Sequence, residues 1–449
     1  MTGEIQAQED GAVRAFLPTT QSRPAGRHQT ETTDAVQHAG PLSSAAQLRV
    51  VILAPRLPYP NGMAASNRVQ LLARALAEQT ARVEVWSMMH TERPPTIENE
   101  RAKGSYRGVA FEYLCGSSTR PETFSQRRMA AVRAWLVTVL RVLEFRRSTS
   151  VGCVYLWFTI QRWTWTRLFM LQLLRGLSVP VVIELNERPW SLRARRGLLE
   201  RVVSPLYGAK GVIAISSLLG TWAGDEASRR GLRTEVLEVP ILVDLAEQTP
   251  DRSSPDDTLN VLFAASPGYR EATTFILDAM QTVWAKHPDC RLVITGTRPG
   301  DADWLSNDLR DPRVRLSGRV PRRELLELYS HATALLVPLF DDTKSRARFP
   351  TKIGEYLASG RPIVTTEVGE IPRYFQDGIS AFMCSPDEPA AFGGKICEVL
   401  ADAGRANEVG AAGRRVAESN FDYRLHAEEL HAFMSRIGRV GRDGLEVTT

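Results

Sequence analysis

The stretch Leu48-Arg-Val-Val-Ile-Leu-Ala54, a Pro/Asn/Gly-bearing loop, and then Asn67 to Gln79 with Val69, Leu72, Ala73 and Leu76 at helical spacing decide the fold class. The first run is short, rich in β-branched residues and almost uninterrupted by polar ones, which suits a strand buried on both faces. Arg82 to Ser87 reads as a second strand. A strand, a glycine-bearing loop, a helix and a strand in that order open a doubly wound parallel sheet.

Working outward, strands are expected at Val109–Leu114, Cys153–Trp157, Val179–Leu185, Gly211–Ile215 and Glu235–Val239, with helical patterns between most of them. From Glu247 to Asp257 the chain turns polar, proline-bearing and unperiodic, the composition of a linker. The α/β rhythm then restarts, with strands expected at Asn260–Ala265, Arg291–Thr295, Val314–Leu316, Ala334–Val337 and Ile363–Thr366. Helices are expected at Glu271–Lys286, Arg322–His331, Thr351–Ser359, Pro389–Ala401 and, to close the chain, Tyr423–Ile437. The organisation is therefore a disordered tail over 1–47, an α/β domain over 48–245 and a linker over 246–258. A second α/β domain over 259–420 and a terminal helix and tail over 421–449 complete it. Two such domains that face each other form a cleft, and ligands of such sheets bind beyond the C-terminal ends of the strands.

Composition narrows the class. Hydrophobic residues at 43% fill more than one core, and charged residues at 24% are ordinary for a globular protein. Five widely spaced cysteines without a CxxC pair favour a reduced chain over a disulfide framework or a zinc site. The N-terminus lacks the pattern of a secretory signal, and no stretch of 18 uncharged apolar residues occurs, so a cytoplasmic protein is expected.

Chemistry concentrates in Phe349-Pro-Thr-Lys-Ile-Gly-Glu-Tyr-Leu-Ala-Ser-Gly-Arg-Pro362. Pro350 suits the start of a helix, Thr351 suits its cap, and Gly360 with Pro362 stops it. Unpaired N–H groups and the positive dipole end make such a start an anion site. Lys352 adds a full charge in the first turn, where a cation is unfavourable for the helix itself and a bound diphosphate would remove the conflict. Glu355, one turn on, has two oxygens for the two hydroxyls of a ribose. The plain alternative, a short surface helix with a solvated lysine and glutamate, stays open on these residues alone.

This segment resembles the donor-binding signature of glycosyltransferase family 4, the glycosyl transferases group 1. The resemblance implies a GT-B fold of two facing Rossmann-like domains. Further matches follow in the order that family requires: the first loop Ala54–Asn67, Ile215-Ser-Ser217, the interdomain crossing Val239–Asp244, Val261–Ala265, Arg291–Gly296 and Leu316–Pro321. The likeness implies a retaining transferase that takes a nucleotide-diphosphate sugar, UDP- or GDP-linked, as substrate and holds no other cofactor. It implies Glu355 on the donor ribose, Lys352 and Arg270 on the diphosphate, and the backbone at Arg319 and Val320 facing the base. Pro350 and Thr351 frame that site, and Arg346 and Arg348 meet the diphosphate. The chain also departs from the pattern. The first of the family's two glutamates falls at Ala347, an arginine position reads Ser266, and no histidine lies between His90 and His287, which leaves Asn186 or Glu187 for that role.

On this reading the departing diphosphate is stabilised by arginine, lysine and a helix N-terminus without a metal. Asp341-Asp342 reads best as a solvated loop. Gly62 reads either as a plain turn glycine after a proline or as part of a loop that reaches donor or acceptor across the cleft. The acceptor class implied is a glycan or a lipid-linked envelope precursor. Two alternatives stay open: a relative that binds nucleotide sugar without transfer, and an epimerase on the same frame. A nicotinamide dehydrogenase is disfavoured because no G-x-G-x-x-G follows either opening strand.

The net charge of +5 is unevenly spread. Fifteen arginines face five glutamates between Arg120 and Arg201, and Trp135, Trp157, Trp163, Trp165 and Trp190 lie among them. Arg127 to Arg147 reads as a helix with one broad apolar face (Val132, Trp135, Leu136, Val139, Leu140, Val142, Leu143) and a narrow polar stripe of Arg133, Thr138, Arg141 and Glu144. Two outcomes are expected: burial of that face in the domain, or contact with an anionic membrane. No nucleic-acid reading motif accompanies the basic residues.

Overall fold

The computed structural model describes residues 47–446 except 96, 149–150, 158–164, 188–203, 205, 249–258, 266–267 and 299–310. The expected tail (1–47, save its last residue) and most of the expected linker lie outside these residues, as do Ser266, Trp163 and Trp190. Among the described residues the chain forms two sheets flanked by helices, the α/β architecture that the sequence implies.

The first sheet contains β1 (Arg49–Ala54), β2 (Arg82–Ser87), β3 (Lys103–Tyr106), β4 (Val109–Tyr113), β5 (Gly152–Leu156), β6 (Val181–Leu185), β7 (Gly211–Ala214) and β8 (Glu235–Glu238). Their spatial order is β3-β4-β2-β1-β5-β6-β7-β8. All pairs are parallel except the hairpin β3–β4. Strand β1 is buried at every position because helices cover both faces of a parallel sheet. The sheet's helices include α1 (Ala64–Glu78), α2 (Phe124–Ser148), α3 (Trp165–Gly176) and α4 (Ser217–Arg230).

The second sheet is β11-β10-β9-β12-β13-β14, all parallel. It comprises β9 (Asn260–Ala264), β10 (Arg291–Thr295), β11 (Val314–Gly318), β12 (Ala334–Val337), β13 (Ile363–Thr366) and β14 (Phe382–Cys384). Around it run α5 (Arg270–Lys286), α6 (Arg322–His331), α7 (Lys352–Ser359), α8 (Pro389–Ala401) and α9 (Ala403–Asn420). The chain order reverses at β1 in one sheet and at β9 in the other, so each presents a switch-point crevice at the C-terminal end of its first strand.

The crossing between the sheets is pinned from both sides. The Val243 N–H donates to the Phe421 carbonyl at 2.9 Å, and the Tyr423 N–H donates back to Val243 at 3.2 Å. Asp244 accepts from Arg74 at 2.6 Å and from Arg107 at 3.2 Å. The terminal helix expected at Tyr423–Ile437 divides into a tight turn, Tyr423–His426, and α10 (Ala427–Glu446). Helix α10 returns to the first sheet, where the Met434 sulfur lies 3.5 Å from that of Cys153 on β5. The five cysteines are free and buried. No helix among the described residues is long and apolar enough to cross a membrane.

Candidate active site

Helix α7 spans eight residues and stops at Gly360, whose φ of 73° is left-handed, as the Gly-x-Pro signal implies. Its start differs from the sequence reading. Thr351 occupies the cap position, but its side chain accepts no hydrogen bond from the first turn. The chain enters through the Ile353 N–H, which donates to the Pro350 carbonyl at 3.0 Å, while Phe349 stacks on Tyr374 with ring centroids 5.4 Å apart. A side chain at Gly354 would lie 3.2 Å from Val243 Cβ, so glycine lets the helix rest directly on the crossing segment.

Two side chains of α7 lock it to the end of β9. The Tyr356 hydroxyl accepts from the Ala264 N–H at 2.9 Å, and Lys352 Nζ donates to the Ala264 carbonyl at 2.6 Å. The Lys352 ammonium lies 4.8 Å from the Phe263 ring centroid and 5.3 Å from that of Tyr269. Burial pulls its pKa down to about 8, Arg348 adds to the effect, and Glu355 opposes it. The cation therefore sits at the switch crevice of the second sheet with one carbonyl and two ring faces as neighbours.

Arg348 joins it, its guanidinium 6.0 Å from the Tyr269 ring and 3.8 Å from Glu187 Oε1 of the opposite domain. The other carboxylate oxygen of Glu187 is buried and has no hydrogen-bond partner among the described residues. Arg270 follows Tyr269 as the first residue of α5 and is exposed. Lys352 and Arg348 thus gather around one tyrosine, and Arg270 opens the helix that follows it, a setting that favours an anion.

Arg346 lies elsewhere. It is more than half exposed and bonds Asp341 at 2.6 Å through Nε. Asp342 caps the turn Thr343–Ala347 through the Ser345 N–H, so both aspartates of that pair have structural partners. Ala347 is fully buried, and its carbonyl accepts from the Ser216 hydroxyl at 2.9 Å across the domain junction. Ser216 caps α4 after β7, the next-to-last strand of the first sheet.

Glu355 also faces across the cleft. Its Oε1 accepts from Asn67 Nδ2 of α1 and from Arg322 Nη1 of α6, each at 2.9 Å, and Arg322 bonds Glu247 in turn at 2.6 Å. Arg319 reaches Glu98 of the opposite domain at 2.7 Å. Gly62 lies in the loop after β1, where any Cβ would collide with Ser66 Oγ at 2.1 Å, so that loop admits only glycine in this conformation. Tyr269, Phe263, Asn67 and Arg322 escaped the sequence reading. The aromatic Tyr269 directly before Arg270 was the one local signal.

Residues 258–402 match the family model of the glycosyl transferases group 1. The likeness to the glycosyl transferases group 1 covers the second α/β domain of the chain. A D-inositol 3-phosphate glycosyltransferase of Thermobifida fusca is 27% identical over 171 residues, which cover 35% of this chain and 38% of the relative. The chain thus spans about two fifths of the length of the curated relatives it matches. Among solved structures, a sucrose-phosphate synthase from Thermosynechococcus elongatus superposes with a TM-score of 0.62 at 16% identity, covering 90% of this chain and all of the other. An Anabaena protein crystallised in complex with UDP and glucose gives 0.61 at 14% identity, covering 87% and 99%. The chain has the GT-B fold of two facing Rossmann-like domains, with Glu355 bonded to Asn67 and Arg348 near Glu187 across the cleft between them.

Proposed function

We propose that this chain acts as a glycosyl transferase of group 1 and transfers a sugar, with retention of configuration, from a UDP- or GDP-linked donor to a glycan or lipid-linked acceptor. The pair of Lys352 and Arg348 around Tyr269 carries the reading, with Arg270 next to that tyrosine in the chain, because it puts fixed positive charge where a leaving diphosphate develops negative charge. As the bond from the sugar's anomeric carbon to the diphosphate oxygen breaks, that oxygen keeps the electron pair and the sugar becomes oxocarbenium-like. Lys352 meets the diphosphate as an ammonium, with the α7 N-terminus behind it and no metal required by these roles. Glu355 takes the ribose hydroxyls. The Asn67 contact on Glu355 crosses the cleft, so donor binding exchanges it for a ribose hydroxyl. The backbone at Arg319 and Val320 faces the base, and the loop at Gly62 forms the far wall.

Glu187 bears on the sugar. Its second oxygen is free to accept from a sugar hydroxyl as far as the described residues go, and it supplies a carboxylate in a cleft where Ala347 offers none. A second reading, binding without transfer, rests on the burial of Ala347. A panel of UDP-, GDP- and ADP-sugars separates the two. Transfer or slow hydrolysis of at least one donor is expected, and a protein that binds a donor yet turns over none sinks the enzyme reading.

Diphosphate affinity should depend on pH through Lys352. A bound diphosphate favours the ammonium, so its pKa is higher in the complex than the value of about 8 in the free chain. Affinity is then full below that value and declines as pH rises through it, by up to about tenfold per pH unit, until the complex also deprotonates. Titration of UDP from pH 6.5 to 9.5 tests this. A flat profile removes Lys352 from the site.

A further inference from the structure

Helix α2 does not bury the broad apolar face that its sequence suggests. Ala134, Thr138, Val142 and Phe145 turn inward, so Thr138 of the expected polar stripe is core, its hydroxyl bonded to the Ala134 carbonyl. Met129, Val132, Leu136 and Leu140 turn outward and are 60–70% exposed. Spacings of three, four and four put these four side chains in one line, about 16 Å long at 1.5 Å per residue. Phe169 of α3, 56% exposed, widens the line sideways, its ring 5.1 Å from Trp135 edge to face. This is a continuous apolar surface, unlike scattered exposed residues that need no explanation.

Its border is basic. Arg128, Arg133 and Arg147 are exposed on α2, whereas Glu144, the helix's one acid, is engaged by Arg141 at 3.0 Å. A straight helix with an outward apolar line and arginines beside it fits a flat surface of apolar tails under anionic headgroups. A second copy fits poorly, since an isologous contact over this line would bring the same arginine-bordered surface against itself. Helix α2 follows β4, whose C-terminal end lies on the cleft side of the sheet, so the helix begins toward that side.

We infer that the outer face of α2, with Phe169 of α3, is a docking surface for an anionic lipid bilayer that sets the cleft mouth beside the membrane. The inference rests on this surface and does not depend on which donor the cleft holds. The full chain is tested by sedimentation with vesicles of phosphatidylcholine alone and of phosphatidylcholine with phosphatidylglycerol. Wild type should prefer the anionic vesicles by at least about tenfold, and added salt should reduce that preference. Leu136→Gln with Leu140→Gln should lose binding to both compositions, and Arg128→Ser with Arg133→Ser should lose the anionic preference. Both double variants should keep the wild-type melting temperature and UDP affinity, which separates a failure here from a failure of the transferase reading. Equal binding to both compositions overturns the anionic part. No binding to either, or a concentration-dependent dimer lost on Leu136→Gln with Leu140→Gln, overturns the whole.

Discussion

Replacement of Lys352 by methionine should weaken UDP binding by about tenfold to a hundredfold and at the same time raise the melting temperature. The two effects share one cause. Lys352 is a half-buried cation whose pKa of about 8, lowered chiefly by burial, shows that the folded chain alone favours its charge less than water does. The Ala264 carbonyl and the faces of Phe263 and Tyr269 compensate only part of the lost hydration. Methionine keeps much of the length and apolar stem without a charge, so desolvation no longer opposes folding. The rise should be modest, because the Ala264 carbonyl loses its donor. With diphosphate bound the balance reverses. A hydrogen bond to a charged partner contributes about 1.5–3 kcal/mol, which converts to the loss of affinity expected. Calorimetric titration of UDP and a thermal melt on the same sample check both arms. Unchanged UDP affinity would remove α7 from the donor site, whatever happens to stability.

Glu355→Ala should weaken UDP binding by a similar factor, and the loss should belong to the ribose. Wild type should favour UDP over its 2′-deoxy analogue by about tenfold, and the variant should bind the two alike. The fold should tolerate the change, because Arg322 keeps its bond to Glu247 and is not left as an unpaired charge. Removal of the Asn67 contact loosens one tie across the cleft, so the variant's melting temperature should fall slightly. If the variant still discriminates between UDP and the deoxy analogue, Glu355 is a strut between the domains and the ribose lies elsewhere.

Much of the frame was legible because its determinants are local. The β-branched runs at 49–54, 82–87, 291–295, 334–337 and 363–366 became strands with little or no shift of their ends. Helix α6 and helix α8 occupy the expected spans. Elements without an apolar period were missed. Strand β3 is Lys-Gly-Ser-Tyr, an edge strand whose pairing depends on β4 opposite it. Strand β14 has three residues, too few for a period. Helix α9 packs through Ala406, Gly410, Gly413 and Ala417, small residues that bring two backbones close and leave no hydrophobic signal.

The sequence by itself determined that α7 begins just after a proline with a lysine in its first turn and ends at Gly360, since helix entry and left-handed backbone are matters of a few adjacent residues. Tertiary structure decided how that turn is used. Arg346 and Arg348 are two positions apart in one short loop, yet one reaches a surface aspartate and the other the cleft, because the backbone around Ala347 is held by Ser216 from the other domain. Asn67, 288 residues from Glu355, touches it only because two sheets face each other. On α2 apolar residues occur nearly all round, so periodicity could not say which arc met the sheet. Packing of Phe145 and Val142 inward settled that and left Leu136 and Leu140 outside.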